Sequence, residues 1–87
     1  MIIRQVEFTN EAGLHARPAA VFVDLASRFK ASVFVEKGDY NFNGKSIVSV
    51  LSAGISKGDK VNLIIEGEDE EVAEKVLLSL IKNNFTE

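Results

Sequence analysis

Hydrophobic residues recur along the chain with two spacings, one of about two residues, typical of strands, and one near 3.6 residues, typical of helices. The spacing of two is clearest at Val61, Leu63 and Ile65, where a half-buried strand ends before Gly67. Three weaker strand patterns cover residues 2–8, residues around 33–35 and residues 40–43. A turn at residues 37–39 lets the last two of these strands form a hairpin.

Three segments carry the helical spacing. The first covers about residues 16–29 and begins immediately after His15, because Pro18 is tolerated only in the first turn of a helix. Ser46 is a candidate N-cap for a second, short helix, and Asp69 can cap the third. The apolar positions of these helices are Phe22, Leu25, Ala26 and Phe29 in the first, Ile47, Val48 and Leu51 in the second, and Val72, Ala73, Val76, Leu77, Leu80 and Ile81 in the third.

The elements follow one another in the order β-α-β-β-α-β-α. Each strand carries its apolar residues mainly on one face, and the helices are long enough to cover that face. These features predict a two-layer α/β sandwich in which the other face of the sheet contacts solvent. The 87 residues leave room for a single domain.

Composition and charge narrow the classes of function. The sequence contains no Cys, which excludes disulfides, thiol chemistry and thiolate metal sites. Its longest apolar run, residues 19–23, is far shorter than the ~18 residues that span a bilayer, and the first residues do not resemble a signal peptide. We therefore expect a cytoplasmic protein without a membrane anchor. The net charge of −3 argues against a dedicated nucleic-acid binder.

His15 is the only histidine, and it lies in the segment GLHARPA at residues 13–19, where the first helix begins. The unpaired amides of a helix start can hold a phosphate, and a neutral imidazole nitrogen beside them can attack phosphorus. Arg17 adds a guanidinium, which binds phosphoryl oxygens through two hydrogen bonds. A metal centre has less support, because the single His has no Cys and no second His at a metal-ligand spacing. A hydrolytic triad has less support, because the sequence has no recognisable nucleophile-elbow motif. Local physics also allows a plainer interpretation, in which His15 and Arg17 are solvated residues at a helix start.

The segment GLHARPA resembles the active-site signature of the HPr family, the histidine-containing phosphocarrier proteins of the bacterial phosphoenolpyruvate-dependent sugar phosphotransferase system. A second segment, Lys45-Ser46-Ile47 followed by Gly54 and Lys57-Gly58, resembles the regulatory-serine segment and the following turn of that family. The resemblance covers nearly the whole chain and implies that residues 1–87 form a single HPr-like domain. It implies an α+β open-faced sandwich, with four antiparallel strands in the order 1-4-2-3 and three helices on one face.

The resemblance also implies a function. His15 would receive a phosphoryl group on Nδ1 from phosphorylated Enzyme I and pass it to Enzyme IIA domains of sugar transporters. Arg17 would assist both transfers and, with Ala16, bind the phosphate. The protein would be a stoichiometric carrier and a monomer, with no cofactor and no catalytic cycle of its own.

Ser46 resembles the serine that a dedicated kinase, the HPr kinase/phosphorylase, modifies in many bacteria. Its phosphorylation would slow phosphoryl entry at His15 and recruit a catabolite-control repressor. The plainer interpretation is that Ser46 only caps its helix, and the two roles are compatible. The departures from the family pattern, which bear on partner preference, are Asp24, Val48 and Ser49.

An apolar contact set for the partner proteins can also be named from the sequence. Its members are Ala16, Ala20, Ile47, Val48 and Leu51. The helical spacing of Ile47 and Leu51 fits a place in the core equally well.

Other functions remain open at this stage. A paralogue that serves nitrogen regulation or dihydroxyacetone phosphorylation would share His15 but use other partners. A purely regulatory relative usually lacks the phosphorylatable histidine, so His15 argues against it. The most distant alternative is a small ligand-binding α/β module without phosphoryl chemistry.

Overall fold

The computed structural model describes residues 1–86, and within them the elements follow the predicted order. The strands are β1 Ile2–Glu7, β2 Ser32–Lys37, β3 Tyr40–Asn43 and β4 Lys60–Glu66. The helices are α1 Ala16–Ala26, α2 Ile47–Ser52 and α3 Glu70–Lys82. Within residues 1–86, no helix combines the length and the hydropathy that a bilayer crossing requires.

The four strands form one antiparallel sheet in the order β1-β4-β2-β3. Strand β4 lies between β1 and β2, while β2 and β3 form the predicted hairpin. This order confirms the α+β open-faced sandwich that the family resemblance implies. The pairing also brings together segments far apart in sequence, since Val6 lies opposite Val61.

One face of the sheet forms the core with the three helices. Its inward positions alternate along the strands: Val33 and Val35 are buried in β2, and every second residue is buried in β4. The buried residues of these two strands and of the helices are Val33, Val35, Val61, Leu63, Ile65, Ala19, Phe22, Ala26, Val50, Ala73, Leu77 and Ile81. On the opposite face, Ile3, Ile64 and Phe34 lie side by side across three strands, and Ile3 is 58% exposed. That second face contacts solvent, as the strand patterns predict.

Helix α1 ends earlier than its apolar spacing predicts, at Ala26 instead of residue 29. After this point the Arg28 and Phe29 amides bond carbonyls only three residues back, which tightens the last turn. The Lys30 amide then donates to the carboxylate of Asp69 at 2.9 Å and takes no helical partner. The chain beyond the tightened turn is therefore bonded to the start of α3 and does not continue the helix.

Asp69 occupies the N-cap position of α3, but its side chain does not bond an amide of that helix. Its two oxygens accept hydrogen bonds from the Lys30 amide and, at 2.8 Å, from the Ala31 amide. The predicted side-chain cap is therefore wrong, because the α1–β2 connection uses the carboxylate instead. The predicted apolar stripe of α3 is also wrong at Val72, which is 56% exposed because the buried face follows Ala73 and every fourth residue after it.

The bonds to Asp69 predict how stability depends on pH. The Lys30 amide above all, and then the Ala31 amide, hold the pKa of the Asp69 carboxyl below its ordinary value. Such a group stabilises the fold above its unfolded pKa, and that contribution is lost as pH falls through the folded pKa. We expect Asp69→Asn to lower the melting temperature most above about pH 4, with the difference from wild type shrinking at lower pH.

The control for this experiment is Asp39→Asn, which changes an exposed carboxylate in the β2–β3 turn. Its melting temperature should stay near that of wild type at each pH. A deficit in Asp69→Asn that is the same at every pH would contradict the assignment.

Candidate functional site

His15 is the N-cap residue of α1, with extended backbone angles of φ −124° and ψ 163°. Its carbonyl accepts the Ala19 amide at 3.5 Å, which begins the helix. Its imidazole forms no capping hydrogen bond within the described residues. Because the first amides of a helix have no intrahelical partner, those of Ala16 and Arg17 stay available next to the imidazole. The side chains of Ala16 and Arg17 are exposed.

Ala16 has a positive φ of 52°, in the left-handed region that a residue with a Cβ rarely adopts. That conformation costs about 1–2 kcal/mol relative to an ordinary helical one. The strain lies directly after His15, where the extended segment turns into α1. The sequence carried no signal for it, since Ala is a good helix former and left-handed turns favour Gly or Asn.

The segment before His15 rests on the connection between α2 and β4. The Leu14 amide donates to the Ile55 carbonyl at 3.0 Å, and the Leu14 side chain is completely buried. Gly13 has a φ of +60°, and a Cβ at this position would lie 2.4 Å from the Ile55 oxygen and 2.7 Å from the Ser56 Cα. Only glycine allows this approach. The backbone on the N-terminal side of His15 is therefore fixed to the core.

Asn10 closes the turn that leads to this segment. The Gly13 amide donates to the Asn10 carbonyl at 3.2 Å, and Asn10 Nδ2 donates to the Gly13 carbonyl at 2.9 Å. Asn10 is only 8% exposed; its Nδ2 is satisfied by the Gly13 carbonyl, while its buried Oδ1 has no hydrogen-bond partner among the described residues. On the outside, Lys57 and Glu11 form an ion pair at 2.8 Å between the same two loops. Residues 10–13 therefore form an ordered turn between β1 and α1.

Ser46 caps α2 as predicted. Its Oγ accepts a hydrogen bond from the Ser49 amide at 3.2 Å. The Ser49 hydroxyl in turn accepts the Asn43 amide at 2.8 Å and so fixes the end of β3 to the helix. Lys45, immediately before the cap, donates through Nζ to the Phe29 carbonyl just beyond α1. These bonds hold the start of α2 on two sides.

The exposed face of α2 is apolar. Ile47 is 39% exposed, Val48 72% and Leu51 43%, while Val50 is completely buried. The structure therefore places Ile47 and Leu51 at the surface, and the core residue of α2 is Val50, which the helical spacing of the sequence did not indicate. In α1, which contacts α2, Ala20 is also exposed. We call these residues, Ala16, Ala20, Ile47, Val48 and Leu51, the apolar patch.

Asp24, one of the departures from the family pattern, lies on the exposed side of α1. Its carboxylate pairs with Arg28 one turn later at 2.9 Å. Both side chains are about two-thirds exposed, at 69% and 66%, so the pair contributes little to stability. The pair places the positive charge of Arg28 beside the carboxylate of Asp24.

The close approach at Gly13 gives a test of how the His15 segment is held. Gly13→Ala should lower the free energy of unfolding by about 2–5 kcal/mol, since it adds a clash with the Ile55 carbonyl to the cost of a positive φ. Gly38→Ala is the matched control, because its φ is +61° and a Cβ there would meet nothing within 4 Å. It should cost about 1–2 kcal/mol in the same urea titration. Equal losses for both variants would show that the Ile55 contact is unimportant.

Residues 2–83 match the family model of the PTS HPr component phosphorylation site. The chain belongs to the HPr family. HPr proteins are phosphocarriers of the phosphotransferase system, and they are not catalytic enzymes. The expectation drawn from residues 13–19 and from the segment around Ser46 is therefore confirmed at the level of the family.

Individual relatives agree with this assignment. The phosphocarrier protein HPr of Treponema pallidum is 37% identical over 87 residues, which cover 100% of this chain and 99% of that protein. A crystal structure of HPr from Thermoanaerobacter tengcongensis is 47% identical, covers 100% of this chain and 98% of its own, and superimposes with a TM-score of 0.97. The dimeric, domain-swapped crystal structure of Crh, a catabolite-repression protein of Bacillus subtilis, is 40% identical, covers 100% of both chains and has a TM-score of 0.77.

Proposed function

We propose that this HPr-family protein accepts a phosphoryl group from phosphorylated Enzyme I on Nδ1 of His15 and passes it to Enzyme IIA domains of sugar transporters. The observation that supports this most directly is the place of His15 as N-cap of α1, with its imidazole free of any capping bond in the described chain. The lone pair of Nδ1 would form the new N–P bond while the donor's bond to phosphorus breaks.

The start of α1 offers two kinds of group to the phosphoryl oxygens. The amides of Ala16 and Arg17 present hydrogen-bond donors at the positive end of the helix. The exposed guanidinium of Arg17 adds a fixed positive charge that can bind two oxygens at once. Stabilisation of the charge on these oxygens in the transition state is the role that we assign to Arg17.

Replacement of His15 tests the proposal. We expect His15→Ala to abolish phosphoryl acceptance when the protein is incubated with phosphoenolpyruvate and Enzyme I, as read from the intact mass. Its melting temperature should stay near that of wild type, because the imidazole makes no capping bond. The phosphate on the wild-type protein should be lost in mild acid and survive mild base, as a phosphoramidate does. A wild-type modification that survives mild acid would contradict phosphorylation on nitrogen.

Variants of Arg17 provide the companion measurement. Arg17→Ala should still accept phosphate but more slowly, and Arg17→Lys should recover part of the rate, because an ammonium lacks the planar fork. Equal transfer rates for all three proteins would remove Arg17 from the site. Absence of phosphate on the wild-type protein would instead favour a ligand-binding module without phosphoryl chemistry.

We assign the apolar patch to the contact with Enzyme I and Enzyme IIA. Exposed apolar residues that lie together on a small protein are typical of a protein-binding surface. Val48, the most exposed of the three α2 residues in the patch at 72%, is also one of the departures from the family pattern. Val48 and the acidic Asp24 therefore bear on which partner binds, and not on the phosphoryl chemistry.

Ser46 is proposed as a regulatory site, modified by an HPr kinase/phosphorylase and read by a catabolite-control repressor. Likeness to Crh, a catabolite-repression protein, supports this role. So does the capping geometry, because a phosphate at the start of a helix can keep accepting bonds from the amide of Ser49. The fold should therefore tolerate the modification.

The charge of a phosphate on Ser46 should act on partner binding. It adds about −1.5 to −2 charges next to Ile47 and Val48, which makes that part of the apolar patch harder to desolvate. We expect Ser46→Asp to raise the KM of Enzyme I for this protein severalfold, with kcat nearly unchanged. The melting temperature should change little, since Asp is also a good N-cap.

Protein phosphorylated at Ser46, verified by mass, is the stricter form of this test, because Asp carries less charge. An unchanged affinity for Enzyme I would reduce Ser46 to its capping role. A change in kcat alone, with KM unaffected, would also contradict an effect on partner binding.

The proposal includes a cytoplasmic location and a monomer in which residues 1–87 act as one domain. The swapped dimer of Crh is the alternative assembly. Sedimentation equilibrium over a range of protein concentrations distinguishes the two.

A further inference from the structure

Lys37, at the end of β2, joins the end of α2 to the loop that follows it. Its Nζ donates to the Gly54 carbonyl at 2.9 Å and to the Ala53 carbonyl at 3.4 Å. The same ammonium lies 3.3 Å from Oδ2 of Asp59. A cation is favourable here, since the last carbonyls of a helix carry a partial negative charge.

Asp59 holds the other end of this loop. Its Oδ2 accepts the Ser56 amide at 2.8 Å, and its own amide donates to the Ser56 carbonyl at 3.0 Å. The Ser56 amide first, and then the Lys37 ammonium, keep the pKa of the Asp59 carboxyl below its ordinary value. The Phe8 amide donates to the Asp59 carbonyl at 3.0 Å, which ties the loop to the chain just beyond β1. Residues 53–59 are therefore held from β2 and from the end of β1.

The loop held in this way is the one on which the His15 segment rests. Ile55 accepts the Leu14 amide, and Ser56 lies against Gly13. His15 directly follows Leu14 in the chain. A displacement of Ile55 and Ser56 would therefore move the backbone that carries the imidazole.

We propose that Lys37 and Asp59 are positioning residues for phosphoryl transfer at His15, acting through the 53–59 loop. This inference rests on the function proposed above. Neither residue binds phosphate in this role. Their side chains are 36% and 35% exposed, so the ion pair itself contributes modestly to stability, and its effect lies in the position of the loop. Transfer rates are sensitive to such positions, since a misplacement of about 1 Å can cost up to ~10²-fold.

The experiment compares Lys37→Met, Lys37→Arg and Asp59→Ala with wild type in two measurements. The first is the kinetics of phosphoryl transfer from Enzyme I, and the second is hydrogen exchange of the Leu14 amide. We expect Lys37→Met and Asp59→Ala to lower kcat about three- to tenfold with little change in KM. Exchange at Leu14 should become faster, while exchange at the Gly44 amide, bonded to Val33 at 2.7 Å, should not change. Lys37→Arg should recover part of both effects.

Two further variants separate positioning from a general loss of stability. Arg4→Met removes a strand cation from a different ion pair, with Glu74, and should leave kcat and the Leu14 exchange near wild type. The double variant of Lys37→Met and Asp59→Ala should be little worse than the worse single variant, because both act on the same loop.

An unchanged kcat together with unchanged Leu14 exchange in Lys37→Met and Asp59→Ala would overturn the inference. Equal acceleration of the Leu14 and Gly44 amides would overturn it as well, because only global stability would then have changed. A wild-type protein that is not phosphorylated at His15 would refute the proposed function instead. In that case the Leu14 exchange still decides whether the pair positions the segment.

Discussion

The hydrogen bond from the Leu14 amide to the Ile55 carbonyl joins two parts of the chain that are forty-one positions apart, and the geometry around His15 depends on it. It forms only because Gly13 lets the backbone approach Ile55 and Ser56 without a side chain between them. The buried Leu14 side chain fixes the same point to the core. The segment from which His15 begins α1 is therefore fixed to the core, although it lies in a connection between elements.

Much of the fold follows from local patterns in the sequence. The alternating apolar residues of β4 are typical of a strand with one buried face. Pro18 is tolerated only in the first turn of a helix, so it fixes where α1 begins. Ser46 likewise marks the start of α2, and its capping bond is present. The strand order came from the family resemblance, because period and propensity do not determine which strands are neighbours.

The features that sequence reasoning missed depend on contacts distant in sequence or on backbone angles. Asp69 looks like an ordinary cap, but its carboxylate accepts hydrogen bonds from amides thirty-eight and thirty-nine positions away, in the connection between α1 and β2. The positive φ of Ala16 has no residue-level signal. Neither Lys37 nor Asp59 belongs to a motif in the sequence, and only the pairing of β2 with β4 brings the two side chains together.

Helix α2 has only six residues, which is about half the length at which an isolated helix becomes stable in water. Both of its ends are held by side chains, by the Ser46 hydroxyl at the start and by the Lys37 ammonium at the finish. Its outward residues Ile47, Val48 and Leu51 thus stand on a backbone that is already ordered. A protein that docks on them loses little conformational entropy from this side of the interface, so apolar area buried there converts more fully into affinity.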